Sequence, residues 1–300
     1  MYNMKTKYIC LRDDDTNYFT KYKDLKEGYG EIWGKYPITL ATIPFVHGSE
    51  SKILDYDKDV NKFQKLDIWK KNANAEMLTH YHMTYPIGMN KDLVDQLKIM
   101  IESGMIEIAQ HGVHHRYNIY GAEMKHDNVA LNSIVDGKEY LEKTFQVEIN
   151  VMVPPSNTID NIVTKKIREL ELNLLCSAPI QFDTKINKIL WYLKNPKDTF
   201  DGFVNKLNGG SPIRKRQGVV ISDSLTFDVC KNDDYIYNSV LDKLDRYGFY
   251  SITTHYRLLS DEIYRNRYIA VVKRIAMNKE IEFVTASDYF EKAIKNFYCR

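Results

Sequence analysis

The chain has 300 residues, with 42 Lys and Arg against 40 Asp and Glu, a formal charge of +2. It therefore has no sequence-wide charge with which to hold nucleic acid or an anionic membrane. At 44% hydrophobic and 27% charged residues, the composition is that of a folded globular protein and excludes a disordered or fibrous one.

Short β-branched runs alternate with amphipathic stretches along the whole length. Strands are expected at Lys7–Leu11, Ile38–Pro44 and Met77–His82. Asn90 then caps a run with Leu93, Val94, Leu97, Met100 and Ile101 on one face, and Gly104 stops it, which predicts a helix. Next come strands at Met105–Ala109 and Ile149–Val153 around an amphipathic segment at Asp127–Phe145, then a helix at Ile159–Leu170 and a strand at Leu172–Ser177. The last third reads strand Gly218–Ser222, helix Asp234–Tyr247, strand Phe249–Thr254, helix Asp261–Ile275, strand Ile281–Val284 and helix Ala286–Asn296. Strands alternating with helices of this length predict parallel β–α units closed, or nearly closed, into one α/β barrel spanning residues 1–300. Two irregular stretches, near 49–74 and 179–217, read as insertions. The second carries Asn208-Gly209-Gly210-Ser211-Pro212 before Arg214, Lys215 and Arg216, a solvated surface loop or a phosphate-gripping one.

No run approaches the roughly 18 apolar residues of a membrane span, and the apolar run after the basic start is too short for a signal peptide. The cysteines, Cys10, Cys176, Cys230 and Cys299, are widely spaced and predict buried thiols in a reducing compartment, hence a cytoplasmic protein. The 22 Tyr and 12 Phe against 3 Trp fit either sugar stacking or an AT-rich codon bias.

In a β/α barrel, chemistry sits at the C-terminal ends of the strands. Four such ends carry unusual residues: Asp13-Asp14-Asp15, His111 to His115, Pro154-Pro155-Ser156-Asn157, and His255. His111 and His115 are four apart, so one helical turn would bring both imidazoles to one divalent metal. Two imidazoles and one carboxylate leave open the coordination positions that a hydrolytic Zn²⁺ needs. Three consecutive carboxylates repel one another unless a cation or a proton neutralises them. Strand alternation puts Arg12 and Asp14 on one face and Asp13 on the other.

Arg12-Asp13-Asp14-Asp15-Thr16, His111-Gly112-Val113-His114-His115, Val153-Pro154-Pro155-Ser156-Asn157 and Thr254-His255-Tyr256-Arg257-Leu258, in that order, resemble the motifs of the polysaccharide deacetylase superfamily, carbohydrate esterase family four. The closest likeness is to a divergent, cytosolic-looking branch. The resemblance implies a distorted β/α barrel of about seven strands and a metal-dependent hydrolase that removes an N-acyl group from a sugar or glycan intermediate. It implies Asp15, His111 and His115 as ligands of Zn²⁺, or of Co²⁺ or Ni²⁺, and Asp14 as the base. His255 would be the acid, and the Ser156 N–H in the turn Pro155-Ser156-Asn157 a donor to the developing oxyanion. The expected partner is an N-acylated sugar, nucleotide-sugar or lipid-linked glycan intermediate. The alternative is a catalytically silent, or differently acting, glycan-binding barrel in polysaccharide biosynthesis.

Two departures from the family pattern matter. Val153 stands where the family has an Arg that orients the base, so Arg12 is expected to replace it. The triple Asp also leaves open a second register, with Asp13 as base and Asp14 as ligand. Among the remaining residues, Tyr18, Phe19, Tyr81, Tyr117 and Tyr120 flank the motif loops and could stack on sugars. His80 and His82 read as barrel-lining or core residues rather than a metal pair. His114, rotated away on a helical turn, reads as a neighbour of the site. Asp223 reads either as an orienting partner of His255 or as a helix cap.

Overall fold

The computed structural model describes residues 6–48, 71–115, 122–177, 182, 184–196, 199–200, 210–228 and 230–298. Strand β1 runs Lys7–Thr16 and is followed by helix α1 (Tyr22–Tyr29), β2 (Ile38–Thr42) and β3 (Phe45–His47). Then come α2 (Ala75–His82), β4 (Thr84–Pro86), α3 (Lys91–Glu102), β5 (Ile106–His111), α4 (Leu131–Phe145), β6 (Val151–Val153), α5 (Asn161–Glu169) and β7 (Asn173–Leu175). The chain continues with α6 (Lys185–Lys194), β8 (Ile213–Arg216), β9 (Val219–Ser222), β10 (Leu225–Thr226), α7 (Asp233–Tyr247) and β11 (Phe249–Thr254). It ends with α8 (Glu262–Ala276), β12 (Ile281–Val284) and α9 (Ala286–Tyr298).

The main sheet has the order β10-β11-β1-β2-β5-β6-β7-β9-β8, with β12 also paired to β1. Its wall is parallel throughout except where β8 runs antiparallel to β9. β11 returns late in the chain to pair with β1, and the curled, mainly parallel sheet forms a half-barrel, the distorted and incompletely closed version of the expected barrel. Between β8 and β10 no ladder joins the edges among the described residues.

Strand alternation divides the core into two layers. Outward-facing Ile9, Leu11, Ile38, Leu40, Ile106, Ile108 and Ile252 pack under the helices. Inward-facing residues are smaller: Cys10, Ala41, Ala109 and Val151 meet Tyr289, Phe290 and Ala293 of α9, which fill the barrel floor. The Tyr289 hydroxyl is satisfied there by Ser222 Oγ at 2.7 Å. On the same floor the half-buried Glu107 carboxylate accepts the Ala286 and Ser287 N–H groups at the start of α9.

Two expected elements differ. Met77–His82 is helical: Asn74 caps it by accepting the Met77 N–H, and nothing in the sheet pairs with it among the described residues. His80 and His82 are therefore exposed on a helix rather than lining a barrel, and His80 Nδ1 meets the Tyr85 hydroxyl. The stretch 179–217 contains α6 and β8, so its described part is not irregular. Its apolar residues had no strand period, and edge strand Ile213–Arg216 is written in charges, a common way of blunting an edge. Residues 49–70 and Asn208-Gly209 lie outside the described residues. Among the described residues no helix is long and apolar enough to cross a membrane.

Candidate active site

β1 carries three kinds of side chain into three environments. Arg12, 1% exposed, and Asp14 point inward, and the guanidinium grips the carboxylate with both Nε–Oδ1 and Nη2–Oδ2 at 2.7 Å. Arg12 Nη1 also donates to the Leu175 carbonyl of β7 at 2.9 Å, so the arginine ties β1 across the barrel. Burial works against ionisation of Asp14, but Arg12, with His111 and His255, outweighs it and holds the carboxyl below its usual range. Asp13 turns to the outer face, where the Tyr29 hydroxyl of α1 donates to it. Burial drives its pKa well above the usual range despite that hydrogen bond.

Strict alternation would send Asp15 outward after Asp13. Instead the register shifts between Asp13 and Thr16, and Asp15 takes φ +76°. The bulge rotates its carboxylate into the barrel mouth. There Oδ1 lies 3.1 Å from His111 Nε2 and 3.2 Å from His115 Nε2, while His255 Nε2 lies 3.8 Å from Oδ2.

His111 is the last residue of β5, and its Nδ1 donates to the Val153 carbonyl at 2.8 Å. That hydrogen bond leaves Nε2 of a neutral imidazole as a lone pair aimed at a carboxylate oxygen. Two acceptors facing at this distance need a proton or a cation between them. The chain does not enter a helix after His111. Gly112 at φ +59° and His115 at φ +49° bend it back, so the two imidazoles meet through a loop, with ring centroids 5.0 Å apart. The helical turn expected from the four-residue spacing is thus replaced by a left-handed loop that brings the same two rings together. The ligand atoms of Asp15, His111 and His115 all lie within 4.8 Å of one another, and all three residues are buried. Two imidazoles and a carboxylate fit a divalent metal of the Zn²⁺ type.

Sequence reasoning missed Glu123. It is 4% exposed, and its carboxylate accepts the Val113 N–H at 3.0 Å and the His114 N–H at 2.7 Å. A Cβ at Gly112 would fall 2.2 Å from Glu123 Oε2 and 2.6 Å from Pro155 Cγ, so only glycine lets this carboxylate and Pro155 close on the loop. Glu123 is a positioning residue: it fixes the backbone between the two histidines. If Asp15, His111 and His115 hold a divalent metal, E123A should weaken its binding about 10–100-fold, the usual cost of losing a supporting contact behind a ligand. Chelator competition on the purified protein measures this, and E123Q, which keeps one acceptor, should fall between. His114 is also used for shape: its Nδ1 contacts the Phe45 carbonyl at 2.8 Å.

The turn Pro155–Asn157 follows β6, with Pro155 buried, Ser156 at φ +56° and Asn157 at φ +50°. Val153 is buried in the inner layer, so no arginine reaches Asp14 from that position. Asp223 neither caps a helix nor serves His255 among the contacts described: Arg214 Nη1 holds it at 2.5 Å. Tyr18 is half-buried and stacks on Tyr85 with centroids 5.2 Å apart, and Phe19 packs against both. Tyr81 is buried against His47, which removes it as a sugar platform. Tyr117 and Tyr120 lie outside the described residues.

Residues 70–175 match the family model for polysaccharide deacetylase. A Mycobacterium smegmatis protein assigned as a polysaccharide deacetylase shares the fold at TM-score 0.52 and 10% identity, over 99% of this chain and 93% of its own. The Xyl-CE4 domain of a multidomain xylanase from the hindgut metagenome of Trinervitermes trinervoides aligns at TM-score 0.47 and 12% identity, over 96% and 91%. A family 4 acetyl xylan esterase from Clostridium thermocellum, solved with a cobalt ion, aligns at 0.47 and 12%, over 95% and 91%. The search of curated proteins finds no match. The family match over residues 70–175, with the fold shared with the Mycobacterium smegmatis protein, bears out the resemblance read from the four motifs, to the polysaccharide deacetylase superfamily.

Proposed function

We propose that the chain is a metal-dependent deacetylase that hydrolyses an N-acyl group on a sugar or glycan intermediate, working as one barrel domain over residues 1–300. The observation that carries this reading is the meeting of Asp15, His111 and His115 beside an Asp14 already clamped by Arg12. Asp15, His111 and His115 would hold a divalent cation, which would supply Lewis acidity toward the acyl carbonyl and the attacking water. Asp14, ionised by Arg12, takes a proton from the attacking water as its oxygen bonds to the carbonyl carbon. The Ser156 N–H donates to the oxygen on which negative charge develops. His255 gives a proton to the nitrogen as the C–N bond breaks, so the products are a carboxylate and an amine. Pro155 and Asn157, in the turn after β6, and Tyr18, after β1, are the described residues assigned to the sugar. Cys10 and Cys176 are buried, as expected of small apolar side chains, whereas Cys230 is exposed; the two buried cysteines support a reducing, cytoplasmic setting.

The test is release of acetate from a panel of N-acetylated sugars, nucleotide-sugars and lipid-linked glycans, with metal content measured on the same preparation. Release that stops on chelation and returns with Zn²⁺, Co²⁺ or Ni²⁺ is expected. Metal bound without release from any of them would favour the silent glycan-binding alternative. Failure to bind metal after reconstitution would overturn both.

A further inference from the structure

Helix α6 carries an apolar stripe that the fold does not use. Ile186, Ile189, Leu190 and Leu193, spaced to share one face, are 69%, 58%, 45% and 72% exposed. The opposite face is fastened to the barrel. Arg216 of edge strand β8 sits 5.0 Å over the Trp191 ring and 5.9 Å over Tyr192, and its Nη2 donates to the Tyr192 hydroxyl at 3.3 Å. The helix is therefore held with its stripe outward. Its charges are of one sign: Lys185, Lys188 and Lys194 are exposed, and Lys185–Lys194 holds no acidic residue. Lys215 adds another exposed cation on the adjoining strand.

A second copy of the chain is a poor cover for this stripe. A two-fold contact places the same patch on both partners, which would bring the lysines flanking one helix against those flanking the other. An anionic bilayer suits both features at once, because acyl chains receive the apolar stripe while the headgroups meet the lysines. We propose that α6 docks the protein on an anionic membrane surface, lying in the interface with Ile186, Ile189, Leu190 and Leu193 inserted. The near-neutral total charge of the chain does not oppose this, since α6 itself carries Lys185, Lys188 and Lys194 and no acidic residue. Docking stands apart from the deacetylase reading, and its failure would leave that reading intact.

The experiment is sedimentation of the full chain with sucrose-loaded vesicles, either equimolar phosphatidylcholine and phosphatidylglycerol or phosphatidylcholine alone. Binding to the mixed vesicles is expected to exceed binding to phosphatidylcholine at least about tenfold and to fall as salt is added. I189E/L193E should lose about tenfold or more of that binding at an unchanged melting temperature. K185E/K194E, confined to exposed side chains, should cut binding to the mixed vesicles only. Equal binding to both vesicle types, no binding to either, or binding untouched by both variants would overturn the proposal. With no binding to either, a dimer that I189E/L193E splits would assign the stripe to a second copy instead.

Discussion

Asparagine in place of Asp14 is expected to lower kcat about 10²–10⁴-fold, the usual contribution of a positioned general base. Metal stoichiometry should be unchanged, because the ligands proposed for the metal are Asp15, His111 and His115 rather than Asp14. Steady-state deacetylation alongside metal analysis of the variant separates the two effects. Asp13→Asn is the matched control. Its side chain lies on the outer face under Tyr29, so its substitution should leave the chemical step close to the parent. If D13N fell as far as D14N while D14N lost metal, the base and ligand would have to be moved one residue toward the N-terminus.

Arg12→Ala is expected to act on both stability and chemistry. It would remove one partner of a fully buried ion pair and leave the Asp14 carboxylate uncompensated, which costs about 3–5 kcal/mol. Arg12 also holds the Leu175 carbonyl across the barrel, and that bond would go too. The pH dependence has a definite sign. A carboxyl held below its ordinary value of 3.8 contributes stability that is present above that value and lost as pH falls through the folded-state pKa. The gap between parent and R12A should therefore be widest near neutral pH and narrow in acid. Without the guanidinium, burial raises the Asp14 pKa, so the acid limb of the kcat/KM profile should move to higher pH. Arg12→Lys keeps the charge but not the two-pronged grip, and should recover more of the stability than of the activity. An R12A protein with the parent's melting curve and pH profile would show that Asp14 is oriented by something else.

Much of this fold was legible because period-two and period-3.6 patterns are written in buried residues. The strands Phe249–Thr254 and Ile281–Val284 and the capped helix after Asn90 stand where the pattern put them. The same alternation placed Arg12 with Asp14 and away from Asp13. It could not place Asp15, because a bulge and a left-handed residue interrupt the period at the position where the site is built. Nor could spacing alone distinguish a helical turn from a left-handed loop between His111 and His115, since both bring residues four apart together. Glu123 was invisible because its partners are backbone N–H groups, which carry no sequence signature. The tyrosine surplus is partly a matter of packing: Tyr29, Tyr268 and Tyr289 are buried in the core rather than displayed at the mouth.

The left-handed backbone at the mouth has a thermodynamic consequence. Of the seven non-glycine residues with positive φ among those described, four are Asp15, His115, Ser156 and Asn157. Conformations of this kind cost of order 1–3 kcal/mol each and persist only where surrounding structure enforces them. The cost is met when the chain folds, not when a ligand arrives, so the loops need little rearrangement to receive one. Selection for thermal stability alone would thus tend to relax these four positions first. Variants gained that way should melt later and work less well, since the residues that relax the backbone most cheaply cannot supply the carboxylate of Asp15 or the imidazole of His115.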